Sequence, residues 1–315
     1  MLTSSSTDKY ALLLARCENL PPIPTAVAHP CDPSSLDGAL EAARIGLIAP
    51  ILVGPEQRIR QVAQDHDLPL GDTPVIDTPH SHASAEAAVD AVRTGQAELL
   101  MKGSLHSDEL LHAVARAASG LRTERRLSHV FAMDVPSYHK PLFITDAAVN
   151  IFPTLNEKAD IVRNAIDLVR VLGIQRPKVA ILSAVETVTD KIPSTIDAAA
   201  LCMMSLRGQI EGGILDGPLA FDNAISKAAA ETKGIRSEVA GDPDILLVPD
   251  LEAGNMLAKQ LTFLAGAEAA GIVLGARVPI ILTSRADSVR ARIGSCAIAV
   301  LLAHARRTAE TTLNV

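Results

Sequence analysis

Aromatic residues are nearly missing from this 315-residue chain, which holds five Phe, two Tyr and no Trp. Because 48% of the residues are still hydrophobic, the core must be built from Ala, Val, Leu and Ile. That is the composition of buried parallel strands and the helices that cover them. The four cysteines, Cys17, Cys31, Cys202 and Cys296, are far apart and form no CxxC pair. This argues against a zinc ribbon or a redox motif, and each reads as a small buried hydrophobe. No apolar run approaches the ~18 residues that span a bilayer. Residues 1–10 are polar and unlike a signal peptide, so a cytoplasmic protein without a membrane partner is the expectation.

Motifs of the common enzyme classes are also absent. There is no GxGxxG after the first predicted strand and no GxxxxGK[ST] phosphate loop, and neither a GxSxG elbow nor HExxH occurs. His80 and His82 form an HxH pair with no third ligand in sight, so it reads as a solvated loop and no metal is expected. The formal net charge of −7 argues against nucleic acid as a partner. It leaves room for a small anion held by a local group of arginines.

What is present is alternation. Apolar runs at 25–29, 48–53, 74–77 and 99–102 are separated by helical patterns, and the alternation resumes after residue 150 with strands at 178–183, 215–219, 245–249, 272–276 and 279–283. Runs at 130–135 and 142–145 predict an antiparallel ribbon, and 154–172 a long helix. The pattern predicts α/β architecture with mostly parallel sheet and helices on both faces. Ligands in such folds bind at the carboxyl ends of strands, beside helix N-termini.

Several strand ends carry candidate chemistry. Pro279-Ile-Ile-Leu-Thr-Ser-Arg-Ala-Asp-Ser288 places Thr283, Ser284 and Arg285 between a strand and a helix, with Asp287 or Ser288 as its N-cap. Unpaired backbone N–H groups, hydroxyls and a guanidinium make an anion site there; a plain turn with a surface arginine is the alternative. Gly217-Pro218 is expected to stop a strand, leaving Asp216 and Asp222 at its carboxyl end as site carboxylates or as turn and cap. Gly254 permits close approach to a ligand and Asn255 is a donor for a phosphate or carbonyl, unless both only shape a tight loop. Lys102 ends a strand, and Arg122, Arg125 and Arg126 form either an anion-facing loop or a solvated face.

Together these segments resemble the phosphate acetyltransferase and phosphate butyryltransferase family. The matches run in order: Met101-Lys102-Gly103, Gly120-Leu-Arg-Thr123 with Leu127-Ser-His129, Asp146-Ala-Ala-Val-Asn150, Ser183-Ala-Val-Glu186 and Pro193-Ser-Thr195. Asp216-Gly-Pro-Leu219 with Phe221-Asp222, Pro249-Asp-Leu251 with Gly254-Asn255, and Ser284-Arg285 complete the set. The resemblance implies a two-domain, three-layer αβα fold like that of isocitrate and isopropylmalate dehydrogenases. The first domain would comprise residues 1–139 and 283–315, the second 140–282, with the active site in the cleft between them. It also implies a homodimer or higher homo-oligomer.

The implied reaction is acyl-CoA plus phosphate giving acyl phosphate plus CoA, with an acetyl or butyryl group. Coenzyme A is then a substrate, and no cofactor is needed. Arg285 is expected to bind phosphate, Ser284 to hydrogen-bond the reacting group, and Asp287 to serve as general base. Lys102, Arg122, Arg125, Ser128, Asp222, Asn255 and Thr283 are the expected substrate- and phosphate-binding residues. The acetyl branch of the family has an aspartate seven residues beyond the serine, where this chain has Ala291. Two alternatives are an NAD- and metal-dependent decarboxylating dehydrogenase of the same fold, and a non-catalytic acyl-CoA sensor.

Overall fold

The computed structural model describes residues 9–284 and 287–313. The chain packs as two units, Met1–Glu124 with Ala270–Val315, and Arg125–Ala269. The sequence reading draws the divisions at 139/140 and 282/283; packing draws them earlier, so the first strand of the ribbon falls in the second unit and the strand before residue 283 in the first.

In the first unit, helix α1 (Lys9–Ala15) precedes β1 (Ile23–Ala28), α2 (Pro33–Arg44), β2 (Ile48–Gly54), α3 (Glu56–Asp65), β3 (Val75–Asp77), α4 (Ser81–Arg93), β4 (Leu99–Lys102) and α5 (Ser107–Ala115). The second unit follows with β5 (Ser128–Asp134), β6 (Leu142–Thr145), α6 (Leu155–Val171), β7 (Lys178–Leu182), α7 (Pro193–Leu206), β8 (Ile214–Leu219), α8 (Phe221–Ile225), α9 (Lys227–Thr232), β9 (Ile245–Leu247) and α10 (Leu251–Leu264). The chain returns to the first unit through β10 (Glu268–Leu274), β11 (Ile280–Ile281) and α11 (Val289–Leu313).

Strands of the first unit lie in the order β3-β2-β1-β4-β11-β10. All pair in parallel except β10 with β11. Central strands β1 and β4 are apolar along almost their whole length because both faces are covered, as parallel sheets require. Helix α11 packs against both α1 and α2, while α4 packs against α5 and against β1, β2 and β4. Consequently the carboxyl ends of β1, β4 and β11 lie along one edge of the sheet, followed at once by the starts of α2 and α11.

The second unit orders its strands β5-β6-β9-β7-β8, with β5 and β6 antiparallel and the rest parallel. The ribbon predicted at 130–135 and 142–145 is therefore present. Helix α6 starts with a full capping box, in which Thr154 and Glu157 satisfy each other's backbone donors. One expectation is corrected in β8. Gly217-Pro218 does not stop the strand, which runs on to Leu219 across a register shift against β7. Asp216 is thus a mid-strand residue whose Oδ1 accepts the Gly217 N–H at 2.9 Å, and only Asp222 stands beyond the strand's end.

Candidate active site

The edge made by β1, β4 and β11 holds a connected group of polar residues. Ala28 and Lys102 are register partners at the tips of β1 and β4. Beyond them the two backbones close in: Gly103 N donates to Ala28 O at 2.8 Å, and Ser104 donates to His29 O through both N and Oγ. A side chain at position 103 would run into the carbonyl oxygens of Ala28 and His29, which is why a glycine ends β4. Lys102 is only 4% exposed, and its Nζ donates to the carbonyls of Gly103 at 3.3 Å and Thr283 at 3.4 Å. The ammonium thereby joins the tip of β4 to the loop after β11.

That loop is fastened from inside by Arg292, one turn into α11. Its Nη1 donates to Thr283 Oγ1 at 2.7 Å, and its Nη2 donates to Ser34 Oγ at 2.7 Å and to Ser284 O at 2.9 Å. Burial pushes the guanidinium's pKa down, opposed by the more distant charges of Asp287 and Asp32 and by the Cys296 thiol. Ser284 itself is exposed; its N–H donates to Asp287 Oδ2 at 2.6 Å, and Asp287 N donates back to Ser284 O at 3.2 Å. Of the two N-cap candidates Ser288 takes the role, its Oγ accepting the Ala291 N–H at 3.1 Å. Asp287 closes the loop instead of capping the helix. Arg285 lies outside the described residues.

Beside the same edge, His29 follows β1 in the left-handed region, at φ 56°. Its Nδ1 lies 2.9 Å from Ser84 Oγ, which also lies 2.8 Å from Thr78 Oγ1 and donates to His80 O at 2.9 Å. Since the one hydroxyl hydrogen of Ser84 goes to a carbonyl, Ser84 accepts from both other partners. Neutral His29 is then the Nδ1–H tautomer, with the lone pair on Nε2. His80 also caps α4, its Nδ1 accepting the Ala83 N–H.

Arg122 is exposed on a strap whose backbone bridges Ala276, steadied by Thr123 Oγ1 donating to Gly275 O at 2.6 Å.

In the second unit, the end of β6 opens into a tight turn organised by Asp146, a buried carboxylate. Its Oδ1 accepts the N–H groups of Ala148 and Val149, and its Oδ2 accepts the Asn150 N–H and side-chain amide, all at 2.6–3.2 Å. Asn255, in α10, donates from Nδ2 to Ala147 O at 3.1 Å and so holds the turn from the other side. A Cβ on Gly254 would stand 2.7 Å from Val248 Cγ2 and 3.0 Å from Asp146 O. The close approach that Gly254 permits is thus to the protein's own β6 turn.

Ser128 is buried at the start of β5, its Oγ accepting from Asn164 Nδ2 at 2.8 Å. Arg125 Nη2 stands 3.7 Å from Asp167 Oδ2. Arg126 is bound to Asn150 Oδ1 at 2.8 Å and to Glu157 at 3.3 Å. Asp222 is exposed and paired with Lys233 at 3.1 Å, and Lys233 also reaches Glu186 at 3.2 Å. The Lys233 hydrogen bond, ahead of all else, holds the Asp222 carboxyl below its usual range.

The first unit thus brings together Lys102, Thr283, Ser284 and Asp287, while Asn255 joins the Asp146 turn and Ser128 and Asp222 sit in separate bonded groups of the second unit. Sequence reading missed Arg292, although an arginine between apolar positions of a helix is a visible signal. It also gave no role to Asp146 or His29. Among the described residues, no group of three or more His, Cys, Asp or Glu is placed to hold a metal ion, and no helix is long and apolar enough to cross a membrane.

The family profile described as Phosphate acetyl/butaryl transferase matches residues 78–300. The phosphate acetyltransferase of Rhizobium meliloti is 65% identical over 303 residues, 96% of each chain. The phosphate butyryltransferase of Clostridium acetobutylicum is 41% identical over 278 residues, 88% of this chain and 92% of its own. Among solved structures, a branched-chain phosphotransacylase from Enterococcus faecalis V583 superposes with a TM-score of 0.76 at 30% identity, over 90% of this chain and 99% of that one. The 4-hydroxythreonine-4-phosphate dehydrogenase of Klebsiella pneumoniae, at 13% identity, 90% and 98% coverage and a TM-score of 0.56, shares the fold alone.

Proposed function

The chain belongs to the phosphate acetyl/butyryl transferase family, and we propose that it moves an acyl group reversibly between coenzyme A and inorganic phosphate, with the loop after β11 as its phosphate subsite. The reading rests on family membership over most of the chain. The observation that carries the choice of subsite is the junction of Lys102, Thr283, Ser284 and Arg292. Lys102 and Arg292 both hold Thr283, Arg292 also reaches the Ser284 carbonyl, and the exposed Ser284 lies on the segment that leads into α11. Helix N-termini favour anions, and fixed cations near them favour a phosphate dianion further.

In the direction of acyl-CoA formation, the CoA sulfur adds to the acyl-phosphate carbonyl, giving a tetrahedral oxyanion. The C–O bond to phosphate then breaks, and phosphate leaves with the electron pair. The thiol proton passes to a carboxylate or to the departing phosphate. In this reading Arg285 and the Thr283–Ser284 segment hold the phosphate, and the Ser284 hydroxyl faces the reacting group. Asp287 is the proposed proton acceptor; since Oδ2 is engaged by the Ser284 N–H, the role falls to Oδ1. Lys102 adds positive field from below the loop. Arg122, Arg125, Ser128, Asp222 and Asn255 remain proposed substrate contacts. Both substrates held together supply much of the rate through proximity, without an acyl-enzyme.

Acetyl is the favoured acyl group, because the 65% relative is an acetyltransferase. Coenzyme A enters as a substrate and no cofactor is invoked. A cytoplasmic homodimer is proposed; Phe263 and Leu264 on α10, 75% and 84% exposed beside exposed Met256, are the face best suited to a second copy. The dehydrogenase alternative receives no support beyond a shared fold. The test is thiol release from acetyl-, propionyl- and butyryl-CoA with and without phosphate, repeated for Arg285→Ala with phosphate and CoA titrated separately. Phosphate-dependent release is expected, with the variant impaired in phosphate. Unchanged kcat/KM for both substrates removes Arg285 from the site, and binding without turnover makes the chain a sensor.

A further inference from the structure

The loop that carries Ser284 is held by Arg292, a cation of the junction that takes no part in the chemical steps. Arg290 and Arg292 are two residues apart on α11, so they leave the helix on nearly opposite sides. Arg290 lies over the ring of Tyr10, 3.8 Å from its centroid. Arg292 turns inward, is 2% exposed, and is the largest fully buried side chain among the described residues.

Its environment is unusual for a buried guanidinium. Its three hydrogen bonds all go to neutral oxygens, those of Thr283, Ser284 and Ser34. Its Nε is buried with no hydrogen-bond partner. Among the described residues no carboxylate pairs with it, and Asp287 and Asp32 act on it only from a distance. Buried arginines are ordinarily neutralised by a carboxylate in bidentate geometry. A charge kept in the interior without one marks a place where local rules give way to function.

We propose that Arg292 is a positioning residue of the phosphate subsite: it ties the Thr283–Ser284 segment to the first turn of α2 at Ser34, and its unneutralised charge favours the phosphate dianion over neutral occupants of that loop. This rests on the proposed role of the Ser284–Arg285 loop. Arg292 acts through Thr283 and Ser284 and does not itself touch the reacting atoms. Two of its three bonds go to the Thr283–Ser284 segment and the third to Ser34, so its loss falls on phosphate and spares the acyl-CoA side.

The experiment compares Arg292→Met, Arg292→Lys and Ser34→Ala with the wild type, with phosphate and acetyl-CoA titrated separately and thermal unfolding followed at increasing phosphate. Arg292→Met keeps the apolar stem that packs beside Gly38 but leaves three oxygens without their donor, so it should fold with reduced stability. Expected is a KM for phosphate raised tenfold or more in Arg292→Met, with the KM for acetyl-CoA within twofold. Stabilisation by phosphate should be lost in parallel. Arg292→Lys keeps the charge and loses the fork, and should fall between. Ser34→Ala, which removes one bond, should raise the phosphate KM about threefold. A folded Met variant with unchanged phosphate KM overturns the proposal, as does an equal change in both KM values. If the Met variant does not fold, an unchanged phosphate KM in the Lys and Ser34→Ala variants overturns it. Arg285→Ala, run beside them, separates the two failures: if it spares phosphate, the subsite assignment falls; if it alone impairs phosphate, only the role of Arg292 falls.

Discussion

Gly38 and Arg292 are fitted to each other: a methyl group built on Gly38 would stand 2.5 Å from Arg292 Cδ, inside any tolerable contact. Gly38 lies in the middle of α2, where glycine costs ~1 kcal/mol of helix propensity relative to alanine. On propensity alone Gly38→Ala should stabilise α2. The buried arginine reverses the sign, because its stem must move and the move breaks bonds to Ser34, Thr283 and Ser284. Gly38→Ala is expected to destabilise by about 1–3 kcal/mol, as overpacking does. Urea unfolding of the two proteins checks this, and a more stable variant would show that the arginine yields without consequence.

The Asp146 turn gives a second, sharper prediction. Four donors converge on one buried carboxylate, two on each oxygen. Asp146→Asn preserves shape but turns one oxygen into a donor, so two of the four N–H groups then face another N–H. Unsatisfied buried donors next to a lost charged acceptor cost on the order of 3 kcal/mol. The urea midpoint should fall accordingly while the slope stays constant. A variant within ~0.5 kcal/mol of the wild type would mean that water replaces the carboxylate easily, contrary to its burial.

Asp222 behaves differently because it is exposed. Its carboxyl is held below the usual range mainly by the Lys233 hydrogen bond. Pairs this open to solvent contribute little to stability. Asp222→Asn should therefore leave Tm unchanged at physiological salt. Its proposed place among the substrate contacts predicts a tenfold lower kcat/KM. Steady-state kinetics beside thermal melts separate the two, and unaltered kinetics would return Asp222 to the surface.

The alternation of apolar runs with helical patterns made the sheet legible, since parallel strands buried on both faces are continuous apolar segments, as β1 and β4 are. Thr283 and Lys102 were found because each ends such a run. The run at 215–219 ends where β8 does, but Gly217-Pro218 was misread as a stop signal, since pairing with β7 carries the strand through it. Asn255 and Gly254 illustrate a different limit. Their types suit a ligand or a tight loop equally, and only the coordinates show them closing on Ala147 and Asp146. The signal of Arg292, an arginine between apolar positions, was offset by Arg290, since two alternating arginines also resemble a solvated face. Which of them turns inward depends on the helix's rotation against α2, a tertiary fact.

His29 yields a prediction about protons that follows from bonding alone. With the Ser84 hydrogen committed to His80 O, the neutral ring must carry its proton on Nδ1 and its lone pair on Nε2. Burial first, then the charge of Arg58, lowers the His29 pKa below its ordinary value of 6.5; Glu109 and Asp32 pull the other way, and His80 adds to the lowering. The sign follows by linkage. The unfolded chain protonates His29 at a higher pH than the folded chain does, so unfolding takes up a proton in the window between the two. Stability from this residue is complete above about pH 6.5 and declines as pH falls through the unfolded value toward the folded one. His29→Asn keeps a side chain that tolerates positive φ and removes the titration. Urea unfolding between pH 7.5 and 5 should show a steeper acid loss in the wild type than in His29→Asn. Nitrogen NMR of the ring at pH 7 should show a protonated Nδ1 and a pyridine-type Nε2. The opposite tautomer would mean that Ser84 donates to the ring and leaves His80 O to another partner.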